Sequence, residues 1–175
     1  MRCTMPESNT PVNSQPDFGG SIEINNEPEF DVPLQRITEA ARLVLVDYGF
    51  QRGDISIALV GNQQIHAINN KYLNHDYETD VISFVLEKQL PDQLLNGEII
   101  VSVEMAHQMA DQHRTMPDDE LLLYVIHGML HLVGRDDTSQ ELAAVMRAEE
   151  QRFLKLLGVE GVIVDPVSES GQVKE

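Results

Sequence analysis

Two histidines four residues apart form the part of the sequence with the clearest chemistry. His127 and His131 stand in the segment HGMLHLVGRDD. Because residues four apart lie on one face of a helix, both imidazoles can bind the same ion. A glycine three residues after His131 allows a left-handed turn that ends the helix, so the returning chain can bring Asp136 or Asp137 towards the imidazoles.

Two neutral imidazoles and one carboxylate are a common ligand set for catalytic zinc, and they leave a fourth position for a water molecule with a pKa of about 7. Such a water is a nucleophile near neutral pH. The segment therefore predicts a hydrolase with one Zn2+ per chain. The alternative is that both histidines are structural residues of an apolar helix, but the glycine, the acidic pair and the capped helix that follow favour the metal site.

The spacing also resembles the HExxH motif of zinc peptidases. In those enzymes a glutamate after the first histidine supplies the general base, and Gly128 occupies that position here. An amide-cleaving site would therefore need a base from another part of the chain. A zinc peptidase stays an alternative, which Gly128 weakens.

The elements that position these residues follow from hydrophobic periodicity, which switches several times between alternation and helical spacing. Strands are predicted at 21–24, 54–60, 80–85 and 98–103. Helices are predicted from a cap at Asp31 to about Tyr48, from a cap at Asn62 to about Tyr72, at 104–113, at 120–133, and from the capping box at 138–141 to near Gly158. Asp31, Asn62 and Asp118 are expected to cap their helices, and the capping box at 138–141 opens the last one. We expect an α+β fold, with a small mixed sheet of about four strands packed with about five helices.

Length and composition predict a single domain. With 175 residues, 42% of them hydrophobic, the chain is long enough for one core and too short for two ordinary domains. Residues 1–19 are expected to be a disordered leader and 161–175 a flexible tail, on either side of one hydrolase domain at 20–160. The single cysteine, Cys3, excludes a disulfide framework and a cysteine-based metal cluster.

No segment reads as a signal peptide, and no apolar run approaches the ~18 residues that a membrane span needs. We therefore expect a cytosolic protein without a membrane partner.

The charge of the chain opposes nucleic-acid binding. Twelve Lys and Arg against 29 Asp and Glu give a net charge of −17, which predicts repulsion from RNA. Residues 1–30 hold one basic and five acidic side chains, and residues 159–175 hold one basic and four acidic side chains. The middle of the chain holds the remaining ten basic and twenty acidic side chains. RNA binding would have to depend on a local patch, on the metal, or on a docking partner with a positive surface.

The histidine segment resembles the HGxLHLxG motif of the YbeY family of bacterial rRNA-maturation endoribonucleases, in which an acidic residue and a third metal-binding histidine follow. The TDVISF segment at 79–84 is similar to the family's TDVLSF strand, and the GEI segment at 97–99 to its GDI strand. The match includes Asn69 and Tyr72 upstream and the helix of Met146 and Glu149 downstream, and it covers residues 30–157.

The resemblance implies a zincin-like metal cleft and a metal-dependent single-strand endoribonuclease that acts in ribosomal RNA processing and ribosome quality control. The implied partners are ribosomal RNA and ribosomal subunits or assembly proteins, and no DNA is expected. His127 and His131 match two ligand histidines, and Asp137 stands where the third histidine is usual. Aspartate is an accepted zinc ligand, so we expect the site to survive this change, with a less acidic bound water.

Three further residues are candidates for catalysis. Arg135 is the best-placed cation for a scissile phosphate, with an ordinary surface arginine as the alternative. Asp80 is expected to orient a ligand histidine, to take part in proton transfer, or to begin its strand through a turn hydrogen bond. Asp136, the other carboxylate beside the ligands, completes this set.

One departure from the family pattern concerns the substrate. Leu73 stands where an arginine thought to face the RNA is often found, so a phosphate contact is expected to be missing. Together with the negative charge, Leu73 favours a further alternative, a ribosome assembly factor that contains zinc but does not catalyse. His75 and Asp76 lie in the loop before Asp80 and are expected either to line the cleft or to serve the turn.

The remaining histidines show no ligand spacing. We expect His66, His107 and His113 to be structural or exposed.

Overall fold

The computed structural model describes residues 17–26 and 28–162 of the chain. This part contains four strands and five helices, in the order β1 (Ser21–Asn25), α1 (Leu34–Asp47), β2 (Asp54–Val60), α2 (Asn62–Leu73), β3 (Val81–Gln89), β4 (Leu94–Ser102), α3 (Val103–His113), α4 (Pro117–Val133) and α5 (Gln140–Leu156). The α+β architecture is as predicted. Most of the predicted leader and tail lies outside the described residues.

The four strands form one mixed sheet in the order β1-β2-β4-β3. β1, β2 and β4 are parallel, whereas β3 runs antiparallel to β4 in a hairpin. The central strands β2 and β4 are rich in buried aliphatic residues, as expected for strands covered on both faces. β3 lies at one edge, and its register shifts at a β-bulge between Val85 and Glu87.

Helix α4 is the centre of the main core. Twelve of its 17 residues are buried, because it packs against β3 and β4 on one side and against α1, α3 and α5 on the others. On the opposite face of the sheet, α2 covers a smaller apolar cluster, whose buried members are Val60, Ile65, Ile82 and Ile100. The helix with the two histidines is therefore held by neighbours on nearly every side.

Two residues near the predicted domain boundaries are part of this core. Phe18 is only 2% exposed and Val162 only 6%, and both pack in the main cluster. The N–H of Gly19 also donates to the carbonyl oxygen of Gln51 at 2.9 Å. Residues that the sequence assigned to the leader and the tail thus contribute to packing.

The first residues of three helices differ from the prediction. α1 begins directly after Pro33 rather than with a cap from Asp31, and α2 begins after Gly61, so that Asn62 is its first residue. α4 begins at Pro117, because the fixed φ of proline suits a first turn. Asp118 therefore lies in this first turn, where its negative charge faces the positive end of the helix.

No helix in the described ranges combines the length and the apolar character needed to cross a lipid bilayer.

Candidate metal centre

The two histidines predicted to bind metal lie next to each other on the last turns of α4. Their Nε2 atoms are 2.9 Å apart. Their rings are nearly perpendicular, with an interplanar angle of 79°. The His127 side chain is 12% exposed and that of His131 is 19% exposed. Although α4 is otherwise deeply packed, it thus presents both imidazoles at a partly open surface.

The chain reverses immediately after α4. Gly134 has a φ of 101°, in the left-handed region that glycine tolerates best. Its N–H donates to the carbonyl of His131 at 3.0 Å, and the N–H of Arg135 donates to that of Leu130 at 2.9 Å. These bonds satisfy carbonyls at the end of the helix, as in a Schellman-type ending. The predicted role of the glycine is the one observed.

The turn that follows is closed by Asp136. One oxygen of its carboxylate accepts from the N–H of Asp137 at 2.8 Å and from the N–H of Thr138 at 3.2 Å, and the other accepts from the Thr138 hydroxyl at 2.8 Å. Ser139 then caps α5, because its Oγ accepts from the N–H of Leu142 at 3.2 Å. Of the two candidate acids, Asp136 therefore shapes the turn.

The same turn brings Asp137 to the histidines. Its carboxylate oxygens lie 3.7 Å from Nε2 of His127 and 4.0 Å from Nε2 of His131. One potential ligand atom from each of the three residues lies within 4.8 Å of the other two. The three residues predicted from the sequence as metal ligands are thus brought together.

The hydrogen bonds of the outer ring nitrogens show that this group fits a metal. Nδ1 of His127 lies 2.5 Å from the carboxylate of Glu150, and Nδ1 of His131 lies 3.1 Å from the carbonyl oxygen of Arg135. Both partners only accept, so each Nδ1 carries the proton and each Nε2 keeps a lone pair. Two facing lone pairs beside a carboxylate repel unless a cation lies between them. Imidazole nitrogens and a carboxylate suit zinc.

The two imidazoles differ in their affinity for protons. Burial lowers the pKa of His127, but the hydrogen bond and the charge of Glu150 outweigh burial, and Asp80 and Asp137 add to the effect, so that this pKa is raised. The pKa of His131 is lowered, first by burial and then by the neighbouring His127. When the two neutral imidazoles take up one additional proton, His127 therefore binds it before His131 does.

Glu150 contacts the candidate site but was not predicted from the sequence. It is 3% exposed and lies on the buried face of α5 together with Met146, Phe153 and Leu154. A charged residue is rarely buried without a partner, and the partner here is His127. The available signal was a glutamate in the middle of an otherwise apolar helical stripe.

Asp80 begins β3 and also acts on the site through its charge. Its carboxylate accepts from the N–H of Val81 at 2.8 Å and from the Thr79 hydroxyl at 3.1 Å. Its charge raises the pKa of His127, although no hydrogen bond joins the two residues within the described ranges. Of the contacts expected for Asp80, the structure shows the turn hydrogen bond, whereas the hydrogen bond to His127 comes from Glu150.

Arg135 is exposed beside the three ligands, and its guanidinium is held in place by Tyr48. Nε of Arg135 donates to the Tyr48 hydroxyl at 2.6 Å, and the guanidinium carbon lies 5.2 Å from the centre of that ring. The Tyr48 hydroxyl in turn donates to Glu149 at 3.1 Å. A positive charge is therefore held beside Tyr48, on the residue four positions after His131.

Tyr124 is a second group that was not predicted. It lies one turn before His127 on the same side of α4 and is 7% exposed. Burial, followed by the charges of Asp80 and Glu120, raises the pKa of its phenol well above the ordinary value. Tyr124 is thus a neutral hydrogen-bond donor at neutral pH.

The other histidines have structural surroundings or are exposed. His66 pairs with Asp76 at 2.8 Å, and His113 lies 3.1 Å from Glu120, which is itself buried. His107 is exposed on α3. His75 contacts its loop neighbour Tyr77. None of them belongs to the group of metal donors found among the described residues.

Gly128 is where α4 comes closest to the sheet. A Cβ atom at this position would lie 2.7 Å from Cγ2 of Val81 and 3.2 Å from Cγ2 of Ile99. The position is buried against β3 and β4, so it cannot accept a glutamate side chain. The general base of the HExxH peptidases therefore has no equivalent at position 128.

The fold and the site define a small α+β protein with a two-histidine, one-aspartate centre suited to a metal-dependent hydrolase. A sequence model of the family described as Endoribonuclease YbeY matches residues 22–158. The chain belongs to the endoribonuclease YbeY family, as the motifs predicted.

Individual relatives agree with this assignment. An endoribonuclease YbeY from Rhodopirellula baltica is 41% identical over 126 residues, which are 71% of this chain and 64% of that protein. This chain thus spans slightly less than two thirds of that relative. The family member from Carboxydothermus hydrogenoformans is 37% identical over 73% of this chain and 87% of its own length. The one from Chlorobium phaeovibrioides is 33% identical over 79% of this chain and 91% of its own length.

A solved structure has the same fold. The solution structure of a Thermotoga maritima protein matches with a TM-score of 0.55 and 24% identity, covering 78% of this chain and 91% of that protein.

Proposed function

We propose that this protein cleaves single-stranded ribosomal RNA with one Zn2+ ion held by His127, His131 and Asp137. Family membership supports the broader prediction of an endoribonuclease, since the matching family model and the relatives are described as Endoribonuclease YbeY. The observation that supports the metal centre is the convergence of three donor atoms within 4.8 Å, with both imidazoles oriented by acceptors on their outer nitrogens.

Several groups prepare this centre. Glu150 and the carbonyl of Arg135 keep the protons of the two imidazoles on Nδ1, so both Nε2 lone pairs face inwards. When bound, a divalent cation there supplies Lewis-acid chemistry, which activates water and polarises a phosphoryl oxygen. The carboxylate of Asp137 adds the negative charge that favours a cation.

Three side chains, those of Arg135, Tyr124 and Asp80, are proposed to act on the phosphodiester itself. The guanidinium of Arg135, fixed by Tyr48, would stabilise negative charge that develops on the phosphate. The neutral phenol of Tyr124 can donate a hydrogen bond to a substrate oxygen. Asp80, whose charge reaches the site, is the proposed proton acceptor.

We also propose a cytosolic location and ribosomal subunits or assembly proteins as partners. With a net charge of −17, the chain gains little from general electrostatic attraction to RNA. A partner with a positive surface would offset this repulsion.

The decisive experiment combines metal analysis with RNA cleavage. The full chain should hold about one zinc ion and cut single-stranded ribosomal RNA, whereas His131→Ala and Asp137→Ala should lose both properties. Asp111→Ala removes an exposed aspartate on α3 and serves as the control, which should behave like the wild type. Equal cleavage by Asp137→Ala and the control would overturn the proposed centre.

The same experiment separates the two alternatives. Retained zinc without any RNA cleavage would favour the non-catalytic assembly factor. Digestion of a generic protein substrate without RNA cleavage would favour a peptidase, against which the packing at Gly128 argues.

A further inference from the structure

Two tyrosines near the connection between α2 and β3 have exposed rings: Tyr72 lies in the last turn of α2, and Tyr77 lies in the loop that follows. Tyr72 is 61% exposed and Tyr77 is 40% exposed. Large aromatic rings are usually buried to a greater extent, because they lose the most contact with water on packing. Proteins that bind single-stranded RNA use such rings as surfaces on which unpaired bases stack.

The ring of Tyr77 is already organised as part of a stack. It lies nearly parallel to the ring of His75, with an interplanar angle of 14° and centroids 5.2 Å apart. The Tyr77 hydroxyl and Nδ1 of His75 are 3.2 Å apart. Beneath the loop, the fully buried Asn69 donates from Nδ2 to the carbonyl of Tyr77 at 2.9 Å. The ring pair is therefore fixed before any ligand arrives.

Tyr72, in the last turn of α2, has an exposed ring beside a cation. Its ring meets the edge of Phe84 at 6.0 Å between centroids. Nζ of Lys71 lies 4.8 Å from the centre of the Tyr72 ring. Within the described part of the chain, Lys71 has no carboxylate in ion-pair range. The positive charge of Lys71 is thus available to a phosphate of the substrate. Lys71 lies two residues before Leu73 in the sequence.

The loop leads directly to the metal centre. Tyr77 precedes Asp80 by three residues, so their Cα atoms are at most about 11 Å apart. The next residue, Val81, lies against Gly128, which adjoins His127. A short run of nucleotides can therefore extend from the metal centre to the rings.

We propose that His75, Tyr77, Tyr72 and Lys71 form a subsite for unpaired nucleobases of the substrate, on one side of the phosphate to be cleaved. The bases stack on the exposed rings, and Lys71 contacts a phosphate. This inference rests on the proposed function, since it assigns the RNA substrate to this loop. Stacking does not depend on net charge, so it provides affinity that a chain with a charge of −17 cannot obtain from electrostatics.

The chain contains no tryptophan, which allows a direct test of stacking. Tyr77→Trp and Tyr72→Trp, each made in the His131→Ala background to prevent cleavage, contain a single indole. Adding a short unstructured RNA should quench the indole fluorescence, and an abasic strand of the same length should not. Leu90→Trp, in the turn just after β3 and exposed, is the control whose fluorescence RNA should leave unchanged.

Binding measurements provide the second test. Tyr77→Leu and Tyr72→Leu should each raise the Kd for the short RNA by about 5- to 100-fold, which is the effect of losing one base–aromatic stack. Tyr77→Phe keeps the ring and should bind like the wild type.

The outcomes separate this inference from the proposed function. If the wild type cleaves RNA while both leucine variants bind it with unchanged Kd, the subsite is wrong and the endoribonuclease stands. Quenching by abasic RNA equal to that by intact RNA would also reject base stacking. If the wild type neither binds nor cleaves RNA, both proposals fail.

Discussion

At the scale of single residues, we expect the proposed metal centre to depend on a side chain that is not one of its ligands. Glu150 is buried and bonded to the outer nitrogen of His127, so it fixes both the proton and the orientation of that ring. Partners of this kind often change metal affinity by about 10- to 100-fold when they are removed.

We therefore expect Glu150→Ala to weaken Zn2+ binding by about 10- to 100-fold, and Glu150→Gln to weaken it less, because the amide oxygen still accepts a hydrogen bond. Competition with a chromogenic chelator measures this affinity. Glu141→Ala, at an exposed position of the same helix, is the matched control. If Glu150→Ala and Glu141→Ala bind zinc equally well, Glu150 has no orienting role.

Sequence reasoning at this scale succeeded where the contacts are local. His127, His131 and Asp137 lie within eleven consecutive residues, so helical spacing and a glycine turn predict their proximity. Glu150 reaches the site only because of the way α5 packs on α4, and a long-range packing angle leaves little trace in residue spacing.

At the scale of elements, the contact between α4 and the sheet sets the position of the histidines. Gly128 lets the helix approach β3 so closely that a methyl group would meet Val81. Helix propensity alone favours alanine over glycine by about 1 kcal/mol. Overpacking against a stiff β-branched side chain costs about 1–3 kcal/mol. This cost is in most cases larger than the gain in helix propensity from replacing glycine with alanine.

We expect Gly128→Ala to lower the free energy of unfolding, by up to about 2 kcal/mol. Urea denaturation measures the change. The loss should shrink in a Val81→Ala background, where the opposing methyl groups are absent. An equal loss in both backgrounds would show that the close approach to Val81 is not the cause.

A second contact between elements joins the end of α1 to α5. Arg152 donates to both carboxylate oxygens of Asp47, at 2.9 and 2.6 Å, and also to Glu149 at 2.7 Å. The hydrogen bond from Arg152 lowers the pKa of Asp47, more than partial burial raises it. The folded state thus favours the ionised carboxylate.

This contact should give a pH-dependent stability. The pKa of Asp47 is lower in the folded state than in the unfolded state, where it is about 3.9. The stabilisation is therefore complete at a pH above the unfolded-state pKa, and it disappears as the pH falls through the folded-state pKa. Since both side chains are partly exposed, we expect Asp47→Asn to cost at most about 1 kcal/mol at pH 7 and close to nothing in strong acid. Denaturant midpoints of the wild type and of Asp47→Asn, measured from strong acid to pH 7, test this prediction. A difference in midpoint that stays constant with pH would contradict it.

The elements themselves were predictable in kind and number, but their ends were less so. β3 continues to Gln89, although Glu87, Lys88 and Gln89 are polar and typical of a loop. Pairing with β4 in the hairpin, rather than burial, keeps this stretch extended. Tertiary hydrogen bonding of this kind outweighs the local pattern.

At the scale of the whole molecule, the net charge of −17 predicts electrostatic repulsion between the protein and RNA. Two polyanions repel over a distance that salt shortens, from about 30 Å at 0.01 M to about 8 Å at 0.15 M. Proteins that bind RNA through basic surfaces, by contrast, lose affinity for RNA as the salt concentration rises over this range.

We therefore expect kcat/KM for ribosomal RNA to rise with monovalent salt between these concentrations, opposite to the usual trend. A dinucleotide with a single phosphate is the control, and its cleavage should change much less. A steady fall in kcat/KM with salt would show that a local positive surface dominates the encounter.

The bulge in β3 has a consequence for the protein in concentrated solution. An edge strand with exposed Val85 and Leu86 is a template on which further chains can add, strand by strand, into fibres. The register shift twists this edge and brings the charged Glu87 into it. A local irregularity in one strand thus helps to keep crowded copies of the chain dispersed.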